Sequence, residues 1–218
     1  MSPKDYGIDI VTEIGGINTY EAATGLFEKK MDAENLSKIR HIKNKEINIR
    51  IANAIAMCDP EKIFVNTGSE ADKQTIRDLS IEKGEEAQLP MDKHTIHYDL
   101  KDEQGRIIDR TYYIVDEGET ISSLANKKIR SEALIDVRDK MTGIMRNMTM
   151  IIGFYMRGPV GSPGSNPAME ITSSLYVSHS AELLYRNAFF DFDKEVERLG
   201  HYYTNIHSEG LNRLEDCT

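Results

Sequence analysis

Three stretches of this 218-residue chain carry residue types that could do chemistry. The first is "MRGPVGSPGSNPAMEIT", where Gly158, Gly161 and Gly164 crowd together with three of the chain's six prolines, Pro159, Pro163 and Pro167. Glycine-rich loops after a strand can cradle phosphate through their backbone N–H groups, with a lysine following as Gly-x4-Gly-Lys-Ser/Thr. Proline has no N–H to donate, and no Gly-Lys pair occurs in the sequence. The stretch therefore reads as a rigid scaffold turn, set between a buried strand and a helix. The second stretch, "DEQGRIIDR", holds Arg106 and Arg110 in or beside a turn. A guanidinium held rigidly there would offer its planar fork to a carboxylate or phosphate, whereas one on an open turn is merely solvated. By residue type alone the solvated reading prevails, and the same holds for Arg157 beside the Gly/Pro turn.

The third stretch is "HTIHYD". His94 and His97 would share one face of a helix, but three residues apart on a strand they point to opposite sides. The β-branched and aromatic neighbours favour a strand, so a metal site built on His94, His97 and Asp99 is the weaker alternative. His97 and Asp99 do share a strand face and could hydrogen-bond. The basic run from Lys127 to Lys140 is offset by Glu132, Asp136 and Asp139 and reads as a solvated helix face. No Gly-x-Ser-x-Gly elbow is present to support a hydrolase.

The elements that must position these groups follow from periodicity and punctuation. From Asn18 to Cys58 the pattern is helical, clearest where Ile47, Ile51, Ile55 and Cys58 recur, and Asp59-Pro60 ends it. "KIFV" reads as a short buried strand, followed by a helix with Ser69 as N-cap, Asp72 in the capping-box position and Gly84 as the stop. "HTIHYDL" and "RTYYIVDEG" are expected to pair as a hairpin. Helical spacing returns at Ile129, Ala133, Val137, Met141 and Ile144, before the buried strand "MTMIIGFYM". Beyond the Gly/Pro turn, "LYVSHSAELLYR" is amphipathic, with Val177, Ala181, Leu184 and Tyr185 on one face; "DFDKEVERLG" is a second helix and "HYYTNIHSEG" a last strand. This alternation predicts an α/β fold, a mixed β-sheet flanked by helices. Residues 1–218 read as one domain, with a helical lead-in at 1–60 and a mixed-sheet body at 61–218.

Composition narrows the partners. Hydrophobic residues make up 39% of the chain, enough for a core, and the formal charge of −9 without a basic patch argues against nucleic acid. No apolar run approaches the ~20 residues that span a bilayer, so no membrane association is expected. The two cysteines, Cys58 and Cys217, are too few and too far apart for a disulfide framework, which fits a reducing, cytoplasmic setting.

Several of these stretches together resemble one family, the GTP-dependent phosphoenolpyruvate carboxykinases, especially their archaeal branch. "MTMIIGFYMRGPVGSPGSNPAMEITSSLYVSHSAELLYR" is similar to the family's run of Thr-Met, a strand, Gly-Pro-x-Gly-Ser-Pro and then Ile-Glu-x-Thr-Asp-Ser-x-Tyr-Val, with Ser173 where the family usually has Asp. "KIFVNTGSEAD" resembles the family's early Cys-Thr-Gly-Ser-Glu-Glu turn, and "HTIHYD" is similar to archaeal members. The resemblance implies the N-terminal domain of an enzyme that converts oxaloacetate and GTP to phosphoenolpyruvate, GDP and CO2 in gluconeogenesis. It implies one arginine that grips the substrate carboxylate, five residues before a strand-opening threonine. Counting back from Thr111 gives Arg106, with Arg110 as the alternate. It also implies that GTP and Mn2+ or Mg2+ are held by residues absent from this chain. The expected partners are oxaloacetate or phosphoenolpyruvate and a C-terminal domain, without which this piece is not expected to be active. The alternative is a non-catalytic binding or structural module that keeps the fold.

Overall fold

The computed structural model describes residues 9–98 and 110–210. Four helices come first: α1 (Ile10–Gly15), α2 (Tyr20–Lys30), α3 (Ala33–Ile39) and α4 (Lys45–Cys58). Each starts at a side chain that accepts an otherwise orphaned helical N–H: Asp9, Thr19, Asp32 and Asn44. The helical pattern expected from Asn18 to Cys58 is therefore present, broken into α2, α3 and α4, with α1 ahead of it. α4 ends at Asp59, which takes a left-handed conformation with φ 49° and receives Lys30 and Arg146 on its carboxylate.

The body alternates strands and helices: β1 (Lys62–Asn66), α5 (Glu70–Lys83), β2 (Ala87–Gln88), β3 (Thr95–Ile96), β4 (Tyr113–Val115), β5 (Lys127–Ile129), α6 (Arg130–Met141) and β6 (Thr149–Arg157). It continues with β7 (Asn166–Thr172), α7 (Leu175–Leu184), β8 (Arg186–Asn187), α8 (Phe192–Leu199) and β9 (Tyr203–His207). The main sheet runs β1-β6-β7-β9, with β8 also against β6. β1–β6 and β7–β9 are parallel, and β6–β7 is antiparallel, so the mixed α/β sheet holds.

One face of this sheet carries Ile63, Val65, Met150, Ile152, Phe154, Met169 and Ile171, which pack with Phe27, Ile47, Ile51 and Ile55 of the lead-in helices and with Phe189 and Phe192 in one core. The opposite face is apolar only at one end, where Phe64 and Ile151 lie under Ile76 and Leu79 of α5 and Leu175 of α7. Among the described residues no helix is long and apolar enough to cross a membrane.

Four expectations need correction. "HTIHYDL" and "RTYYIVDEG" do not pair in their described parts: β3 pairs antiparallel with β2, and β4 pairs parallel with β5. Strand propensity marks extended segments, but partner choice depends on which neighbour supplies an open edge. The Gly/Pro stretch does not lead into a helix. It closes a hairpin, because "NPAMEIT" is strand β7, in register with β6 from Arg157↔Asn166 to Ile151↔Thr172. Pro167 opens that strand near its start, where the lost N–H is tolerated. On α7, Leu184 is 73% exposed, whereas the buried positions are Leu175, Ser178 and Ala181. Likewise Ile129 ends β5 and Ile144 lies past α6, so the helix is shorter than its apolar spacing.

The hairpin turn is held from outside. Glu195, on α8 and 1% exposed, accepts from the Gly161 N–H at 3.1 Å and from the Ser165 hydroxyl at 3.2 Å. Arg198 contacts the same carboxylate at 2.5 Å and donates to the Ser162 carbonyl at 2.9 Å and to Ser165 Oγ at 2.8 Å. Gly158 and Gly161 take φ of 84° and 78°, and a Cβ on Gly158 would sit 3.1 Å from the Gly164 carbonyl oxygen. A carboxylate thus occupies the turn's N–H where a phosphate cradle would need it free.

Two stability outcomes follow. Phe154→Ala removes a fully buried ring from the main core and should cost about 3–5 kcal/mol in urea unfolding. Glu195 is held down at about 2 by Arg198, with help from Gly161 and Ser165 against the effect of burial. A depressed carboxyl contributes stability that is complete above the unfolded value of about 4.3 and is lost as pH falls toward 2. Glu195→Gln should therefore be less stable at pH 7 and lose less stability between pH 5 and pH 2.5; a wild-type acid slope in that variant, followed by circular dichroism, would count against this account.

Candidate functional site

β1 delivers Asn66 to the end of the sheet, and the chain turns through Thr67 and Gly68 into α5. Ser69 caps α5 as expected, its hydroxyl 3.1 Å from the Asp72 N–H. The Asp72 carboxylate does not return to Ser69 as in a capping box. It accepts from the Thr67 N–H at 2.9 Å and the Thr67 hydroxyl at 2.5 Å, and pairs with Lys38 of α3 at 2.8 Å. Burial alone would raise the Asp72 carboxyl, but those donors bring it below its ordinary value. The turn is tight: Gly68 has φ 74°, and a Cβ there would meet Asn187 at 2.3 Å.

Beside this turn lies a polar cluster on the second face of the sheet. Asn66 donates to Glu182 Oε1 at 2.6 Å and to the Tyr155 hydroxyl at 3.3 Å, and Asn187 donates to the same Glu182 oxygen at 3.0 Å. Burial, reinforced by Glu182 and Glu170, pushes the Tyr155 hydroxyl above its ordinary value. Glu170, opposite Gly153 in the register, is also raised by burial, with Arg157 acting in the other direction. One Glu170 oxygen, Oε1, is buried without a hydrogen-bond partner among the described residues. Arg157 donates to the Tyr185 hydroxyl at 3.2 Å and stacks its guanidinium 5.1 Å from that ring. Arg157 is exposed, as its place beside a turn implied, and rests on this aromatic platform.

A second cluster fastens the chain just ahead of 99–109. Glu86 accepts from Ser80 and Thr95, each at 2.6 Å, and meets His179 Nδ1 at 2.9 Å. Burial would raise the Glu86 carboxyl, yet these contacts lower it. Glu85 accepts from Ser174 Oγ at 3.0 Å and the Tyr176 N–H at 2.9 Å. The His97 ring lies 2.6 Å from the Glu85 carbonyl and stacks on Tyr176 with 3.7 Å between centroids. Glu209 is pushed up to about 7 by burial and by Glu85. Together these contacts pin β3 and the start of α7 to the end of α5.

The expected site residues are placed unequally. Arg106 and Asp99 lie outside the described residues. Arg110 is exposed in a short turn ahead of β4. His94 is engaged at Nδ1 with the Asp92 carbonyl at 2.8 Å, and His97 with Glu85 and Tyr176 as above. Among the described residues no group of three or more His, Cys, Asp and Glu could hold a metal ion. With the N–H of Gly161 bonded to Glu195, the described residues also do not fit a nucleotide phosphate at the Gly/Pro turn. The groups that sequence reasoning missed are Glu85, Glu86, Glu170, Glu182 and Glu195. A glutamate in a helix or loop carries no periodic signal that separates a buried acceptor from a solvated charge.

Known proteins supply the context for this arrangement. The family model described as the phosphoenolpyruvate carboxykinase N-terminal domain matches residues 50–218. The phosphoenolpyruvate carboxykinase (GTP) of Pyrococcus furiosus is 36% identical over 186 residues, covering 84% of this chain and 29% of that protein. That of Thermococcus kodakarensis is 34% identical over 183 residues, with the same coverage of 84% and 29%. That of Saccharolobus solfataricus is 34% identical over 175 residues, covering 80% of this chain and 28% of its own length. The chain thus spans less than a third of the curated relatives it matches. The match runs from the middle of α4 through every strand of the sheet, and on that ground this chain belongs to the phosphoenolpyruvate carboxykinase N-terminal domain family.

Proposed function

We propose that this chain is the substrate-side portion of a GTP-dependent phosphoenolpyruvate carboxykinase, acting on oxaloacetate and phosphoenolpyruvate together with a nucleotide- and metal-binding portion. The observation that carries this reading is the family match over residues 50–218, which includes the segment bearing Arg106. In the proposal Arg106 holds the substrate carboxylate by a bidentate, charge-assisted contact, while the C–C bond to CO2 breaks and charge moves onto the enolate oxygen. A bound metal and GTP would supply charge neutralisation and the phosphoryl group, and the proposal assigns their ligands to the other portion of the enzyme.

The anchoring of β3 through Glu85, Glu86, His97 and His179 supports the reading physically. A substrate arginine works only if its backbone is held to within a fraction of an ångström, and these contacts hold the strand that leads toward it. The division into a lead-in at 1–60 and a body at 61–218 goes with the same proposal, the lead-in closing the apolar face of the sheet. A cytoplasmic setting and a role in gluconeogenesis belong to it as well.

In the carboxykinase polypeptide that carries both portions, Arg106→Ala should lower kcat/KM for oxaloacetate about a hundredfold or more, with melting temperature nearly unchanged. Arg110→Ala should leave kcat/KM within a few-fold of wild type. The opposite pattern would move the carboxylate grip to Arg110. Wild-type kinetics in both variants would reject the grip and favour the non-catalytic module.

A further inference from the structure

The end of the sheet's second face that α5 and α7 leave uncovered contains a cleft of about 280 Å³ lined by Arg157, Asn166, Ala168, Tyr203 and Asn205. The register explains how these residues come together. Arg157 is opposite Asn166, Tyr155 is opposite Ala168, and Ala168 is opposite Tyr203, with Asn205 beside Glu170 in the next row. Ala168, small and flanked by Tyr155 and Tyr203, leaves the hollow that a larger side chain would fill. We propose that this cleft binds a carboxylate, gripped by the Arg157 guanidinium and flanked by the Asn166 and Asn205 amides.

Arg157 has the properties of a ligand-holding arginine. Its exposed guanidinium rests on the Tyr185 ring and donates one bond to the Tyr185 hydroxyl, which leaves further N–H groups of the fork to be used. No carboxylate of the described residues lies within 4 Å of it. One guanidinium with neutral amide and phenol neighbours matches a single planar carboxylate better than a doubly charged phosphate. The nearby Glu170 carboxyl argues the same way, because in ionised form it repels a dianion more than a monoanion. The Tyr203 ring and Ala168 offer an apolar surface for a short carbon skeleton. This site is separate from the proposed Arg106 grip and does not depend on it. The carboxylate has two available sources, a free small acid and an acidic protein side chain.

The test is a titration of the isotope-labelled chain followed by NMR, reading the Arg157 Nε–H and the Asn166 and Asn205 side-chain amides. Sodium propionate is the free-acid probe, and a capped aspartyl peptide is the side-chain probe. At least one of them should give saturable shifts with Kd on the order of 1–10 mM. Arg157→Gln should weaken binding tenfold or more, and Arg157→Lys should not restore it, because an ammonium cannot present the planar fork. Arg106→Gln should leave the response intact, which separates this site from the substrate grip. Tighter binding of propionate identifies a free acid as the occupant, and tighter binding of the peptide a protein side chain; both uphold the carboxylate site. Shifts that stay linear with both probes, that persist in Arg157→Gln, or that inorganic phosphate reproduces at equal affinity would overturn it.

Discussion

β6 is the constraint on which the other placements depend. Its interior residues from Met150 to Met156 are buried, and it pairs with β7 along one edge and with β1 and then β8 along the other. Every backbone N–H and C=O taken out of water must find a partner, so a strand this deeply buried requires neighbours along both edges. Its alternate side chains then sort the molecule. Met150, Ile152 and Phe154 draw the lead-in helices to one face, while Ile151, Gly153, Tyr155 and Arg157 set the chemistry of the other.

The two faces are stabilised by different physics. The apolar face gains from burial of large side chains and costs nothing in hydrogen bonding. The second face starts apolar under α5 and α7 and becomes polar toward Arg157, where each buried group must be matched. Asn66, Glu182 and Asn187 satisfy one another, whereas Oε1 of Glu170 has no partner among the described residues. Unmatched buried polar atoms are costly, and proteins tend to retain them where something binds or reacts. The carboxylate site proposed at Arg157 lies at this polar end of the face.

Local chemistry was legible wherever neighbours in sequence decide it. Ser69 and Gly84 bound α5, and the apolar run around Ile151 and Ile152 is a buried strand, as their residue types indicate. The family resemblance in "GPVGSPG" and "KIFVNTGSEAD" was legible too, because turns demand particular residues at particular places. Less legible were the partners of short strands. β3 joins β2 and β4 joins β5, although their sequences suit a hairpin with each other equally well. Strand "NPAMEIT" carries Pro167 and Glu170, so its composition hides its place next to β6.

The candidate site divides along the same line. The sequence by itself determined the fold class, the chain's family and the residue types available for gripping a carboxylate, because these depend on pattern and local turn chemistry. Only the tertiary structure decided that Glu195 and Arg198 close the Gly/Pro turn and that Glu86 meets His179 across the fold. It also decided that the exposed Arg157 lies against Tyr185. The reason is physical: a charged side chain acquires its role from desolvation and from the donors that surround it, and both come from segments distant along the chain.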